Sequence, residues 1–498
     1  MNETPKTNRG WRILRRILIS LAILATLIAL FYTEEDWRGK RDWENYKHKW
    51  EAKGEKFDWQ AFVPPSVPDN ENFFTAPIFT NMLDGKIVMN PYHSDGSPDF
   101  PAFKDLPNSE FGYLGGEGRA RITDLKIWQA SYRHPAKASL INEFPVAPQP
   151  QTPAKDVLLA LSKYDSAIEE LRQASHRPYA NVPVPYEEGL SASASTLLPY
   201  LATLKRCTQV LQLRACAELA DGQSQNALED VRLSLYLNSS LRTSPFLISY
   251  LVRIAIVAID LQPIWEGLAE HKWSDEQLAA LEAELGKRDF LADYGFVMRG
   301  ERAVAIATID NEQRTREIIS LRENGTWVTN RLTLIPSAYF FQNELAHARM
   351  IQRWILPLVD TNSHIVSPEK FRQATGAVHE EMKYYSPYKV QALMLFPAIS
   401  STVRKLAAIQ GSVDLARVAC ALERYRLAHG EYPETLDPLT PQFIAKLPRD
   451  IINGQPLHYR RTTDGKFLLY SVGWNETDDG GEPGTFTDPT QGDWVWEN

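Results

Sequence analysis

The sequence predicts a mainly α-helical protein with a small C-terminal α+β domain, held to a membrane by an N-terminal transmembrane helix. Three observations carry that reading. An uncharged run, Ile17–Tyr32, lies near the start. Apolar residues recur at helical spacing from Ala154 to about Leu358. The last eighty-odd residues, Ser412–Asn498, then read as a helix followed by a β-hairpin. These features divide the chain into a basic tail (1–16), a signal anchor (17–33), a juxtamembrane helix with a Pro-rich irregular segment (34–153), a helical bundle or irregular helical-hairpin domain (154–400) and the α+β domain (401–498).

With 498 residues the chain is too long for one core, and 44% hydrophobic with 23% charged residues is a globular composition. A net charge of -8 with no basic aromatic face excludes a nucleic-acid partner. Cys207, Cys216 and Cys420 are too few for a disulfide framework. On one continuous helix Cys207 and Cys216 would stand about 13 Å apart, too far to bridge, so small buried side chains are expected.

The anchor is read from its flanks. Lys6, Arg9, Arg12, Arg15 and Arg16 precede Ile17–Tyr32, and Glu34, Glu35 and Asp36 follow it. Sixteen helical residues reach about 24 Å against a hydrocarbon core of about 30 Å. Snorkelling Arg15 and Arg16 and interfacial Trp11, Tyr32 and Trp37 close the gap. No small-x-small cleavage site follows the run, so an uncleaved anchor is expected, with the N-terminus cytoplasmic and residues 34–498 extracytoplasmic in a bacterial envelope. A prepilin leader does not fit: the fifth residue after Gly10 is Arg15, where prepilins carry Glu.

Residues 37–60 read as a polar helix outside the membrane, with Trp43, Tyr46 and Trp50 forming one aromatic stripe that docks on the globular part. Residues 61–153 are punctuated by proline (Pro135, Pro145, Pro148, Pro150, Pro153) and read as loops packed over something else. Helices are then expected from Asp156 to about Arg177, over about 192–219, 224–241 and 246–270, from a Ser274–Gln277 capping box to Gly286, across Leu291–Leu321 and around Ser337–Leu356. Within this series, Ala215 and Ala227 have the separation at which a tetratricopeptide-type hairpin places small residues, but no second copy follows at that repeat's period. The helix over 246–270 is apolar enough to raise a second span. Arg253 and Asp260 weigh against it, since a charge at mid-bilayer costs about 2.5–3.5 kcal/mol, and a buried soluble helix is expected.

Catalytic patterns are incomplete. His379-Glu380 begins like a zinc-protease helix, but Lys383 stands where the second His is needed. Glu344 and His347 have di-iron spacing without the partner motif. No nucleophile elbow, phosphate loop or dinucleotide-binding glycine pattern occurs, so no catalytic or cofactor-binding residue is assigned.

The C-terminal stretch is the most patterned. Residues 400–429 form a helix on which Leu415, Val418, Leu422 and Tyr425 share an apolar face, with Arg417, Glu423, Arg424 and Arg426 off it. Gly430 and Pro433 stop it. Asp464-Gly465 joins two strands, about 456–461 and 466–472, whose sheet the helix must cover. Tyr425, Gly430, Tyr432, Pro433, Leu447, Pro448, Asp450, Leu469, Tyr470, Ser471 and Gly473 then follow in an order that resembles the globular domain of the type II secretion pseudopilin G family. The resemblance covers about 80 residues. It implies a Ca2+ site in the loop after the last strand, for which Asn475, Asp478, Asp479, Asp488 and Asp493 are the candidate ligands. The family's Asp beyond Ser-x-Gly is Asn475 in this chain, after Trp474.

A pseudopilin polymerises through a membrane helix that runs directly into its globular domain, whereas roughly 380 residues intervene here. The expected function is a membrane-anchored, non-catalytic envelope scaffold or interaction module, secretion-system related, with the membrane through 17–33 as one partner and protein partners besides. The alternative is a hydrolase-like envelope enzyme with an unrecognised site in the helical domain.

Overall fold

A computed structural model describes residues 9–92, 121–135, 142–186, 190–321, 327–331, 335–384, 386–484 and 491–496. In chain order the helices are α1 (Arg9–Glu51), α2 (Pro77–Leu83), α3 (Leu125–Arg133), α4 (Pro153–Leu161) and α5 (Asp165–Ala174). They continue with α6 (Leu190–Ala220), α7 (Ser224–Ser240), α8 (Leu247–Ala269), α9 (Asp275–Gly286) and α10 (Phe290–Thr315). The last are α11 (Ser337–Met350), α12 (Pro368–Met382) and α13 (Val390–His429). Strands β1 (Glu317–Leu321) and β2 (Trp327–Arg331) pair antiparallel, as do the short β3 (Val359–Asp360) and β4 (Ile365–Val366). Strands β5 (His458–Arg461), β6 (Phe467–Ser471) and β7 (Trp494–Trp496) form a three-stranded antiparallel sheet in that order. The protein is therefore mainly helical, with a long apolar helix at its N-terminus and a small sheet near its C-terminus.

Two compact units arise from discontinuous pieces of chain. The first takes Met1–Ala61, Arg302–Arg353 and Ala377–Pro397; the second takes Phe62–Glu301, Trp354–Gly376 and Ala398–Asn498.

In the first unit, α1 is one unbroken helix where the sequence suggested a separate one over 37–60. Glu34, Glu35 and Asp36 tolerate helix, and no proline interrupts the passage out of the apolar run. Beyond the run α1 packs on α11. Asp36 accepts a bond from the Ala338 N–H at 2.6 Å, satisfying an orphan donor at the α11 N-terminus. At Gly39 a Cβ would stand 3.3 Å from the Ala338 Cα, so the lack of a side chain permits the close crossing. Trp43 then joins Phe57, Ile306, Leu345 and Ala348 in a core that Tyr46 and Trp50 flank, so the aromatic stripe docks as its spacing predicts. Arg302 is fully buried beside it, donating to Glu55 at 2.7 Å, Lys56 O at 2.8 Å and Gln352 at 2.6 Å.

Two helical expectations in this unit require correction. The helix expected across Leu291–Leu321 ends at Thr315, and residues 317–321 pair antiparallel with 327–331 as β1 and β2. The β-branched residues Ile318, Ile319, Val328 and Thr329 favour paired strands over helix. The helix expected to reach Leu356 passes at Met350 into a π-turn over Ile351–Ile355.

In the second unit, α6 and α7 form an antiparallel hairpin with Ala215 and Ala227 both fully buried between them. The polar groups of these helices answer one another: Arg214 bonds Asp230 at 2.8 Å and lies 3.5 Å from Glu218, and Arg172 reaches Asp230 at 3.2 Å. On α8, Arg253 pairs with Asp293 at 2.7 Å, and Asp260 is buried. The Ser274–Gln277 capping box forms as expected. The Pro-rich stretch carries α2, α3 and single 3-10 turns among its loops. Its Phe73, Phe74 and Phe79 form an edge-on cluster against Tyr200 and Tyr236. Cys207, Cys216 and Cys420 are buried free thiols.

Three described helices are long and apolar enough to cross a membrane: Trp11–Glu51, Leu247–Ala269 and Pro387–His429. The protein itself covers 72% and 56% of the apolar windows of the second and third, and none of the first.

Candidate functional site

The C-terminal module is built on the later turns of α13. Leu415, Val418 and Leu422 are fully buried, as the apolar face requires. The opposite face is not solvated, which the sequence did not anticipate, because α9 and the turn before it lie against it. Arg417 bonds Glu282 at 2.8 Å, Arg424 bonds Asp275 at 2.8 Å and His271 Nδ1 lies 2.8 Å from Glu423. Glu423, expected off the apolar face, is thus buried and also accepts from Arg426 at 2.6 Å and Tyr432 Oη at 2.7 Å. Burial opposes its charge, but the bonds from Arg426, Tyr432 and His271 prevail and hold its carboxyl below the ordinary value.

After Gly430 the chain turns back. Tyr432 packs edge-on to Phe467 of β6 with ring centres 4.9 Å apart, and Tyr459 Oη of β5 donates to Pro433 O at 2.6 Å. Asp450 is buried and accepts two backbone N–H groups, Ile452 and Val472, each at 2.9 Å. It thereby ties the turn before β5 to the end of β6. The sequence foresaw β5 and β6; the third strand, β7, pairs Leu469 with Trp496 and Ser471 with Trp494, and its three residues are too few to show a strand period in the sequence.

Gly473 opens the acidic loop with φ +69, and a Cβ on it would come 2.5 Å from Gly492 O, so only glycine fits. Of the candidate calcium ligands, Asp493 is buried and accepts from Gly481 N at 2.7 Å and Asp479 N at 3.1 Å. Desolvation nevertheless pushes its carboxyl above the ordinary value. Asp478 is exposed and accepts from Gly480 N at 2.9 Å and Tyr470 Oη at 3.0 Å; the Gly480 bond, foremost, lowers its carboxyl. Asn475 donates to the exposed Asp479 at 2.8 Å. Asp488 lies outside the described residues. Asn475, Asp478 and Asp479 thus share one turn, and Asp493, from the residue before β7, is committed to backbone donors of that turn. Residues far away in sequence brace it: Arg372 bonds Glu476 at 2.6 Å, and Phe371 meets Trp474 edge-on at 5.3 Å.

Elsewhere, Glu344 and His347 are buried on α11. Burial raises the Glu344 carboxyl to about 8 and lowers the His347 imidazole to about 4. Among the described residues no three His, Cys, Asp or Glu side chains are grouped to hold a metal. On α6 and α8, desolvation raises Glu218 and Asp260 to about 8 each.

No protein-family model, curated protein or solved structure matches this chain.

Proposed function

We propose that the protein is a membrane-tethered scaffold of the bacterial envelope, with a pseudopilin G-like head that serves protein–protein interaction in a secretion-related setting. The observation that carries the reading is α1. Its apolar run is wholly uncovered, while the same unbroken helix buries Trp43 in a folded unit. A helix bare over one stretch and packed over the next is a tether with a rigid exit. The basic residues before Ile17 and acids after Tyr32 support a cytoplasmic N-terminus. The arrangement of α13 over a small antiparallel sheet, with Tyr432, Asp450 and Gly473 at its turns, supports the pseudopilin-like reading of residues 401–498. The raised carboxyls Glu218 and Asp260 are both buried, which favours the scaffold over the hydrolase-like alternative, since a catalytic acid must meet its substrate.

The test is protease treatment of intact spheroplasts. Digestion of the head with survival of a short membrane-bound N-terminal fragment is expected; a head protected until the membrane is broken overturns the orientation. Photocrosslinking from the exposed Asp479 in cells should then give discrete protein adducts, and their absence counts against an interaction role.

The acidic turn is the proposed Ca2+ site of this head, with Asn475, Asp478 and Asp479 offering hard oxygens around the Asp493 anchor and Asp488 as the further carboxylate.

A further inference from the structure

The first unit presents a second apolar surface beside the membrane helix. Met382, Tyr384, Met394 and Leu395 are 54%, 80%, 74% and 39% exposed. Solvent exposure of two methionines, a leucine and a tyrosine within fourteen residues is costly in water, at about 25 cal/mol per Å2 of apolar area.

Their position relative to the apolar run is fixed by hydrogen bonds. Tyr388 Oη lies 3.3 Å from Glu35, three residues beyond Tyr32. Asn343 of α11 holds both ends of this turn, donating to Pro387 O at 2.9 Å and accepting from Gln391 N at 3.1 Å. The first turn of α11 is in turn capped by Asp36. At about 1.5 Å per residue, Glu35 stands about 4–5 Å along α1 from Tyr32. Each headgroup layer is about 5–8 Å deep, half the difference between the full bilayer and its hydrocarbon core. Tyr388 therefore falls within that layer whenever Tyr32 marks the edge of the hydrocarbon. The four apolar side chains lie within seven residues of it.

The neighbouring chemistry suits an interface. Trp37 is exposed on α1 with the Arg41 guanidinium over its ring at 5.2 Å, and Lys383 and Lys389, neighbours of the apolar residues in sequence, pair with Glu380 at 2.6 Å and Glu381 at 2.9 Å. Aromatic rings and long cations are the side chains that settle where acyl chains meet headgroups.

We propose that Met382, Tyr384, Met394 and Leu395 form a second membrane contact, seated in the headgroup–acyl boundary of the leaflet at which Tyr32 emerges. The inference rests on α1 spanning the bilayer. Its occupant is the lipid surface, chosen because the patch is continuous with the end of the span.

The full-length protein is tested in phosphatidylcholine–phosphatidylglycerol nanodiscs, with an environment-sensitive fluorophore on one introduced thiol at a time: Leu24→Cys in the span, His48→Cys well past it, and Tyr384→Cys or Met394→Cys in the patch. Acyl-chain-brominated lipids are the quencher. Quenching at 384 and 394 of at least half that at 24, with little at 48, is the expected result. Quenching at 24 but not at 384 or 394 overturns the inference and leaves the anchor standing; no quenching at 24 removes the anchor itself. A blue shift at 394 that follows protein concentration and not lipid would show a second copy on the patch, and would equally overturn it.

Discussion

Asp450→Asn is the sharpest local perturbation of the C-terminal module. The substitution conserves shape, so no cavity opens, but it changes what the side chain can accept. The carboxylate takes bonds from Ile452 N and Val472 N at 2.9 Å each, in a buried site. An amide can accept one of them and must turn its NH2 toward the other. One buried N–H is then unpaired, at a cost of about 1–3 kcal/mol, and the surviving bond loses its charge assistance, about 1 kcal/mol more. The sum is about 2–4 kcal/mol. Because the bonded amides join the turn before β5 to the end of β6, that energy should appear as local opening. Hydrogen exchange followed by mass spectrometry should show peptides containing Ile452 and Val472 exchanging about 30- to 1,000-fold faster, at one decade per 1.4 kcal/mol. Peptides of the α6–α7 hairpin should be unchanged. Unaltered protection at 452 and 472 would refute the assignment of Asp450 as the tie between the two turns; equal acceleration in α6 and α7 would refute its local character.

Four further outcomes follow from other sites. Glu423 has a lowered pKa, so the folded state releases its proton more readily than the unfolded chain; its stabilisation is present above the unfolded value of about 4.3 and is lost as pH falls through the folded one. Exchange protection of the α13 C-terminus should therefore decline in acid, and Glu423→Gln should flatten that decline; an unchanged acid profile in the variant counts against the Glu423 cluster. Asp260 is raised to about 8, the opposite case: the folded protein keeps a proton that the unfolded chain has already lost, so stability falls as pH rises from about 4 toward 8, and Asp260→Asn should remove part of that slope in denaturant titrations. Gly39→Leu should loosen the α1–α11 crossing by about 1–3 kcal/mol of overpacking, seen as faster exchange at the α11 N-terminus, whereas identical exchange would mean that the crossing has room. Calcium at about 100 times its dissociation constant should stabilise the head by about 2.7 kcal/mol and raise its unfolding temperature by several degrees over chelator, with Asp478→Asn plus Asp479→Asn abolishing the difference; no shift removes the site.

The helical character, the apolar run and the order of the C-terminal elements are legible from the residues alone, because each is written in local periodicity and in short-range signals. Ile17–Tyr32 is bare of charge, Ser274 and Gln277 lie three apart, and Asp464-Gly465 can only turn. The aromatic stripe of Trp43, Tyr46 and Trp50 was legible for the same reason. What the chain could not disclose locally was set by partners distant in sequence. Residues 317–321 and 327–331 pair as strands although an apolar helix precedes them, and α1 docks on α11 through Asp36, whose carboxylate takes the Ala338 N–H. Glu423 looks like a solvated residue when only α13 is considered; His271 and the neighbouring α9, some 150 positions earlier, bury it. The acidic loop reads as a row of possible ligands, yet one of them, Asp493, is taken up by the backbone of the loop it closes. Periodicity fixes which face of an element is apolar, but only the packed chain decides what covers the other face, since that depends on which remote groups arrive there with matching charge and hydrogen-bonding capacity.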